Sequence, residues 1–189
     1  MNQFFIVFLL LVSNLTSEFV FAREVLKNSP SPTPKITLVD PPQDLETCFS
    51  PDMPCSAKLV QFILSAKSSL DIAIYTINDP DITNAIIQIF KNKIPVRVIV
   101  DCSQLKPDPR SSEKVLKQMG VPVKQGKQNG YMHNKFTLVD NKMLETGSYN
   151  YTRHAAGANQ ENQVYLANPT IVLAYKKRFE SMWEKAAEK

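Results

Sequence analysis

Apolar positions along the chain switch between helical spacing and short β-rich runs from about residue 56 onward. Leu59, Val60, Ile63, Leu64 and Ala66 recur three and four apart, which predicts a helix capped by Ser56 and running to Ser68. Leu70 to Ile77 is dominated by β-branched and aromatic residues and predicts a strand that closes on Tyr75-Thr76. Asp81 is the expected cap of a second helix carrying Ile82, Ala85, Ile86 and Ile89. Pro95 to Asp101 predicts a strand, Ser112 to Met119 a short helix stopped by Gly120, and Val121 to Val123 a further strand. Lys124 to Tyr131 is a polar, glycine-bearing loop. Phe136 to Val139 and Met143 to Thr146 predict two strands joined by a tight turn at Asp140-Asn141. Asn168-Pro169 opens a final helix whose apolar side is Ile171, Leu173, Ala174, Phe179 and Trp183. This alternation predicts an α/β domain, a mixed or largely parallel sheet flanked by helices, over residues 44–189.

The first 43 residues differ in kind. Phe4 to Val12 is an unbroken apolar run too short to span a bilayer, and Val20 and Ala22 stand where small residues precede a signal-peptidase cut. Residues 1–22 therefore read as a signal peptide and the protein as secreted or periplasmic. An uncleaved N-terminal anchor, continued through Phe19, Val20 and Phe21, is the competing reading. Residues 23–43 carry Pro30, Pro32, Pro34, Pro41 and Pro42 and read as a semi-rigid linker, with Ile36 to Val39 as a possible short edge strand.

Composition narrows the field. A chain of 189 residues, 43% hydrophobic and 21% charged, is neither disordered nor a multi-spanning membrane protein, and it accommodates one domain of ordinary size. Its net charge of +4 permits an anionic partner without requiring one. Cys48 and Cys55 flank a proline-rich turn, and in an exported protein a disulfide between them is the natural reading, with a pair of free thiols as the alternative. Cys102 reads as a small buried residue at a strand end, and the cysteine spacing suits no zinc site. No metal or other cofactor is expected.

The chemistry concentrates in Tyr131 to Thr152. His133 and Lys135 lie two apart in an extended segment and therefore project to one face. Two groups that can both be cationic repel unless an anion sits between them, so the pair suits a phosphate: Lys135 binds an oxygen and neutral His133 attacks phosphorus. Gly147 allows a close backbone approach, and Ser148 and Asn150 add neutral donors two apart. Asp140 lies an odd number of steps from His133, which assigns it a supporting role. His154 has no such company and reads as an exposed loop residue. Lys124 and Lys127 read equally well as guides for an anionic substrate or as a solvated loop. Lys176, Lys177 and Arg178 read as the wet face of the last helix, with Phe179 and Trp183 in the core.

The spacing His133-x-Lys135-x4-Asp140-x6-Gly147-Ser148 is the HKD signature, and from about Cys48 to Trp183 the chain resembles the phospholipase D superfamily. It is most similar to short, single-motif members: small secreted bacterial endonucleases and bacterial proteins labelled phospholipase D. Tyr75-Thr76, PVRVIVD, Ser148-x-Asn150 and Asn159-Gln160-Glu161-Asn162 add to the resemblance. It implies a catalytic set of His133, Lys135, Asp140 and Glu161, with Lys135, Ser148 and Asn150 holding phosphate oxygens. His133 would form a phosphohistidine, and His133 of a second copy would protonate the leaving oxygen. Glu161 would pair with the histidine's far nitrogen. One motif per chain then implies a homodimer, and the expected activity is a metal-independent phosphodiesterase, a secreted endonuclease that cuts DNA or RNA without regard to sequence. A phospholipase D acting on phospholipid headgroups is the alternative, and a nucleic-acid-binding protein without turnover is the third reading.

Overall fold

The computed structural model of the chain describes residues 45–104, 111–126 and 130–186. The expected signal peptide, the linker with its candidate edge strand, and Lys127 lie outside the described residues. The strands are β1 (Glu46–Ser50), β2 (Leu70–Ile74), β3 (Val96–Asp101), β4 (Val123–Gly126), β5 (Lys135–Val139), β6 (Met143–Gly147) and β7 (Glu161–Leu166). They form one mixed sheet in the order β1-β7-β6-β5-β2-β3-β4. β2, β3 and β4 run parallel, and every other neighbouring pair is antiparallel.

Helices α1 (Cys55–Leu64), α2 (Pro80–Lys91) and α3 (Ser112–Gln118) bring Leu59, Ile63, Ile82, Ile86, Ile89 and Leu116 to one face of the sheet. A short helix, α4 (Arg153–Gly157), follows β6, and α5 (Pro169–Lys185) covers the opposite face. There Val172, Phe179 and Met182 pack on Ala73, Ile99, Phe136, Leu138 and Leu144. Because both faces are covered, all five residues of β2 are buried, which explains its nearly continuous apolar sequence. Asp71 is the exception in that run. Arg97 grips it at 2.8 and 2.9 Å and grips Glu180 at 2.9 and 2.8 Å, while Lys176 reaches Asp71 at 2.8 Å. The ion network ties β2 and β3 to α5, and the Arg97 guanidinium beside it pulls the Glu180 carboxyl down to about 2.

Several elements differ from the sequence reading. Asp79, not Asp81, caps α2: its carboxylate accepts from the backbone N–H of Asp81 at 2.9 Å, and Pro80 takes the first helical position. α1 begins at Cys55, one residue before the expected cap, and the Ser56 hydroxyl instead donates to Asp79 at 2.7 Å. β2 stops at Ile74, so Tyr75 and Thr76 leave the sheet. β4 starts two residues later than expected, because Val123 is the residue that pairs with Val98. β1 and β7 are strands without a sequence forecast: Thr47, Ser50, Glu161, Asn162 and Gln163 break the apolar alternation. In α5 the buried stripe runs through Val172, Phe179 and Met182, leaving Ile171 and Leu173 exposed, and Lys176 turns inward to Asp71 rather than to solvent. Cys102 is exposed, because the chain turns outward after β3 into a 3-10 turn at Cys102–Gln104. Cys48 and Cys55 form a disulfide with 5.6 Å between Cα atoms, clipping β1 to the start of α1.

Candidate active site

Antiparallel pairing brings the C-terminal ends of β1, β2 and β6 to the same sheet edge as the N-terminal ends of β5 and β7. The end of parallel strand β3 lies there too. Functional side chains assemble on that edge because each is the first or last residue of a strand, or lies just outside one. Met132 prepares the entry into β5. Its backbone N–H donates to Asp101 at 2.5 Å, and its side chain is buried. Asp101 also accepts from the backbone N–H of Ser103 at 2.8 Å, so the end of β3 fixes the turn that presents His133.

His133 is exposed and Lys135 is buried. The Lys135 ammonium donates to the His133 carbonyl at 2.9 Å and lies 3.3 Å from its Nδ1. An ammonium has only hydrogens to offer, so Nδ1 is the acceptor and a neutral ring carries its proton on Nε2. Burial lowers the Lys135 ammonium's pKa from its ordinary value, and the negative charge of Glu161 works against that shift. The Tyr75 ring closes the other side, 4.5 Å from the imidazole between centroids and 5.3 Å from the Lys135 ammonium.

Ser148 joins this edge from the end of β6. Its hydroxyl donates to Glu161 and accepts from the Asn162 backbone N–H at 3.1 Å. Asn159 donates to the other Glu161 oxygen at 2.8 Å. Among the described residues Glu161 therefore serves Ser148 and Asn159, and no hydrogen bond joins it to His133 of the same chain. Gly147 is required by contact: a Cβ there would lie 2.1 Å from the Asn162 carbonyl oxygen. The Asn150 side-chain oxygen is buried and has no hydrogen-bond partner among the described residues.

Asp140 is not part of this cluster. It occupies the opposite end of β5, in a turn where its own φ of 57° and the 53° of Asn141 suit the Asp-Asn pair. Its carboxylate accepts from the backbone N–H groups of Lys67, Ser68 and Ser69 at 3.0, 2.7 and 3.0 Å. Burial pushes this carboxyl up, but those donors and the Ser68 hydroxyl outweigh it and hold it below the usual carboxylate range. Lys124, on β4, lies 4.9 Å from the Trp183 ring on α5. His154 is exposed on α4. Three contributors to the site carried no assigned role in the sequence: Tyr75, Asp101 and Gln104. The last donates to the Tyr75 hydroxyl at 2.8 Å and accepts from Thr76 at 3.0 Å. Their signal was positional: Tyr75 lies near the close of one predicted strand, Asp101 ends another, and Gln104 follows three residues later. Among the described residues no three His, Cys, Asp or Glu side chains stand close enough to hold a metal ion.

Residues 59–183 match the family described as "Cardiolipin synthase, PLD-like domain". The chain belongs to the phospholipase D superfamily. The superfamily's motif runs through His133 and Lys135 at one end of β5 and Asp140 at the other. A mitochondrial cardiolipin hydrolase of Xenopus laevis is 36% identical over 154 residues, covering 79% of this chain and 72% of that protein. A phospholipase D of Rickettsia prowazekii is 32% identical over 132 residues, covering 70% of this chain and 64% of that protein. Among solved structures, the phospholipase D family member Nuc from Salmonella typhimurium superposes with a TM-score of 0.71 at 26% identity. That match covers 77% of this chain and 97% of Nuc. The chain spans between a half and two thirds of the length of most curated relatives it matches. These comparisons correct the expectation of a secreted or periplasmic protein. Relatives from an alga, amphibians and mammals are named mitochondrial cardiolipin hydrolases, so export does not stand.

Proposed function

We propose that the chain is a phosphodiester hydrolase that works through a phosphohistidine on His133, at a site completed by a second copy of the chain. The contact that carries this reading is the 3.3 Å approach of the Lys135 ammonium to His133 Nδ1. Two such groups are held together at a sheet edge to good purpose when a phosphate takes its place between them. The phosphate draws the ammonium to its oxygens and frees Nδ1 to hold the ring proton. Nε2 then has a lone pair with which to attack phosphorus. The P–N bond forms as the P–O bond to the leaving group breaks, and the second copy's imidazole supplies the proton. Water then reverses the sequence and releases the histidine. Lys135 offsets charge on the phosphoryl oxygens, and Asn150 and the Ser148 hydroxyl, once substrate draws it from Glu161, add neutral donors, the task a metal performs in other phosphodiesterases.

Nucleic acid is the preferred substrate. A net charge of +4, an exposed nucleophile and an exposed aromatic residue beside it, Tyr131, favour a polyanion bearing flat bases. A second reading, hydrolysis of a phospholipid phosphodiester at a mitochondrial membrane, is favoured by the names of the relatives. The experiment offers plasmid DNA, RNA, and cardiolipin and phosphatidylcholine vesicles side by side in EDTA to wild type and His133→Ala. Cleavage of nucleic acid that disappears in the variant is the expected result. Lipid hydrolysis alone would transfer the proposal to the second reading, and binding without turnover would leave a nucleic-acid-binding protein.

A further inference from the structure

Three rings lead from solvent to the nucleophile. Tyr131 is 66% exposed and meets Tyr75 edge to face at 5.8 Å between centroids, and Tyr75 in turn meets His133 at 4.5 Å. The middle ring is braced from two sides. Gln104 donates to its hydroxyl at 2.8 Å, and the Lys135 ammonium lies 5.3 Å from its centroid. Tyr75 is thus fully engaged, while the outer ring is mostly uncovered. An exposed tyrosine next to a reacting histidine, held by an edge-to-face contact that leaves a ring face open, has the form of a stacking platform.

We propose that Tyr131 is a substrate-binding residue that stacks against the nucleobase flanking the scissile phosphate. This inference rests on the nucleic-acid reading of the site and deepens it. With the phosphate held at His133 and Lys135, the neighbouring sugar carries its base outward along the ring ladder, one nucleotide's reach from the reacting atom. Stacking is indifferent to base identity because every base offers a π-face, which accords with cleavage that ignores sequence. The glycerol that flanks the phosphate of a phospholipid offers no flat ring, so the platform discriminates between the two substrate classes. The Gln104 brace fixes Tyr75 before substrate arrives, so less ordering is left for the binding step.

The test compares two fluorescent single strands in EDTA, one of thymidines and one of base-less tetrahydrofuran units on the same phosphodiester backbone. Wild type, Tyr131→Ala and Tyr131→Phe are assayed on both, with cardiolipin vesicles as a third substrate. The wild type is expected to prefer the strand with bases. That preference, as a ratio of kcat/KM values, should fall about tenfold in Tyr131→Ala, the scale of one lost stacking contact, and persist in Tyr131→Phe. An equal loss on both strands would overturn the platform by making Tyr131 merely structural, and an unchanged ratio would overturn it too. A wild type that hydrolyses cardiolipin and neither strand would overturn the nucleic-acid reading itself, a failure distinct from the other two.

Discussion

The two ends of β5 belong to one sequence motif and are built on opposite principles. At the Lys135 end, an ammonium and an aromatic ring crowd one edge and the His133 side chain is exposed. At the Asp140 end, one carboxylate collects three backbone N–H groups and a hydroxyl from the loop between α1 and β2. The first end leaves an imidazole open to solvent, and the second commits its carboxylate to the fold. The family resemblance implies a catalytic set that includes His133, Lys135 and Asp140. The strand separates them, and Asp140 contributes by locking the register that delivers the other two.

This contrast predicts effects on different observables. The largest is at the open end: His133→Asn should cut kcat by about four orders of magnitude or more. Thermal melting should not change, because the side chain is exposed; a variant that melts early would move His133 to the structural side of the comparison. Lys135→Met should follow, lowering kcat/KM by about 10²- to 10³-fold through loss of charge stabilisation on the phosphoryl oxygens. Steady-state kinetics at fixed ionic strength measures this, and a loss confined to KM would contradict it.

Midway along β5, Thr137 pairs with Glu145, which is fully buried beside Tyr151 at 2.8 Å. Burial pushes the Glu145 carboxyl up to about 8, against 4.5 for the free group. The folded state therefore holds a proton that the unfolded chain releases. The contribution is fully favourable below 4.5 and is lost as the pH rises towards about 8. Melting temperature should decline over that window in wild type and decline less in Glu145→Gln, and parallel curves would contradict the assignment. The smallest effect is at the closed end. Asp140→Asn should cost about 1–2 kcal/mol in urea unfolding while kcat per folded molecule stays within about twofold. Because the folded carboxyl titrates below 3.8, the difference from wild type should shrink as the pH falls through and below that value.

How much of this was legible beforehand depended on what each residue's neighbours were. The buried strands β2, β3 and β5 announced themselves through apolar runs, and the Asp140-Asn141 turn through its residue types. His133 and Lys135 were found because a two-residue step in an extended chain fixes a shared side. β1 and β7 carry no such signal because polar residues interrupt their apolar alternation. β7 begins with Glu161, whose carboxylate goes to Ser148 and Asn159, a choice set by pairing across β6 and β7 that spacing along the chain does not encode. The roles of Asp101, Tyr75 and Gln104 were hidden for the same reason: strand order, a long-range property, places the exits of β2 and β3 beside the entry of β5. The expected localisation rested on an N-terminal apolar run, which does not itself name a destination; the names of the relatives correct it.

The central claim is that one chain carries half a site and that two histidines share each phosphate. Mixing tests it directly. Wild type and His133→Ala are unfolded together, refolded in known ratios, and assayed for phosphodiester hydrolysis in EDTA. If both copies serve one phosphate, a mixed pair is inactive, and an equal mixture should retain about a quarter of the wild-type activity, falling with the square of the wild-type fraction. Activity that falls in simple proportion, leaving about half at an equal mixture, would mean that each chain works alone and would contradict the account.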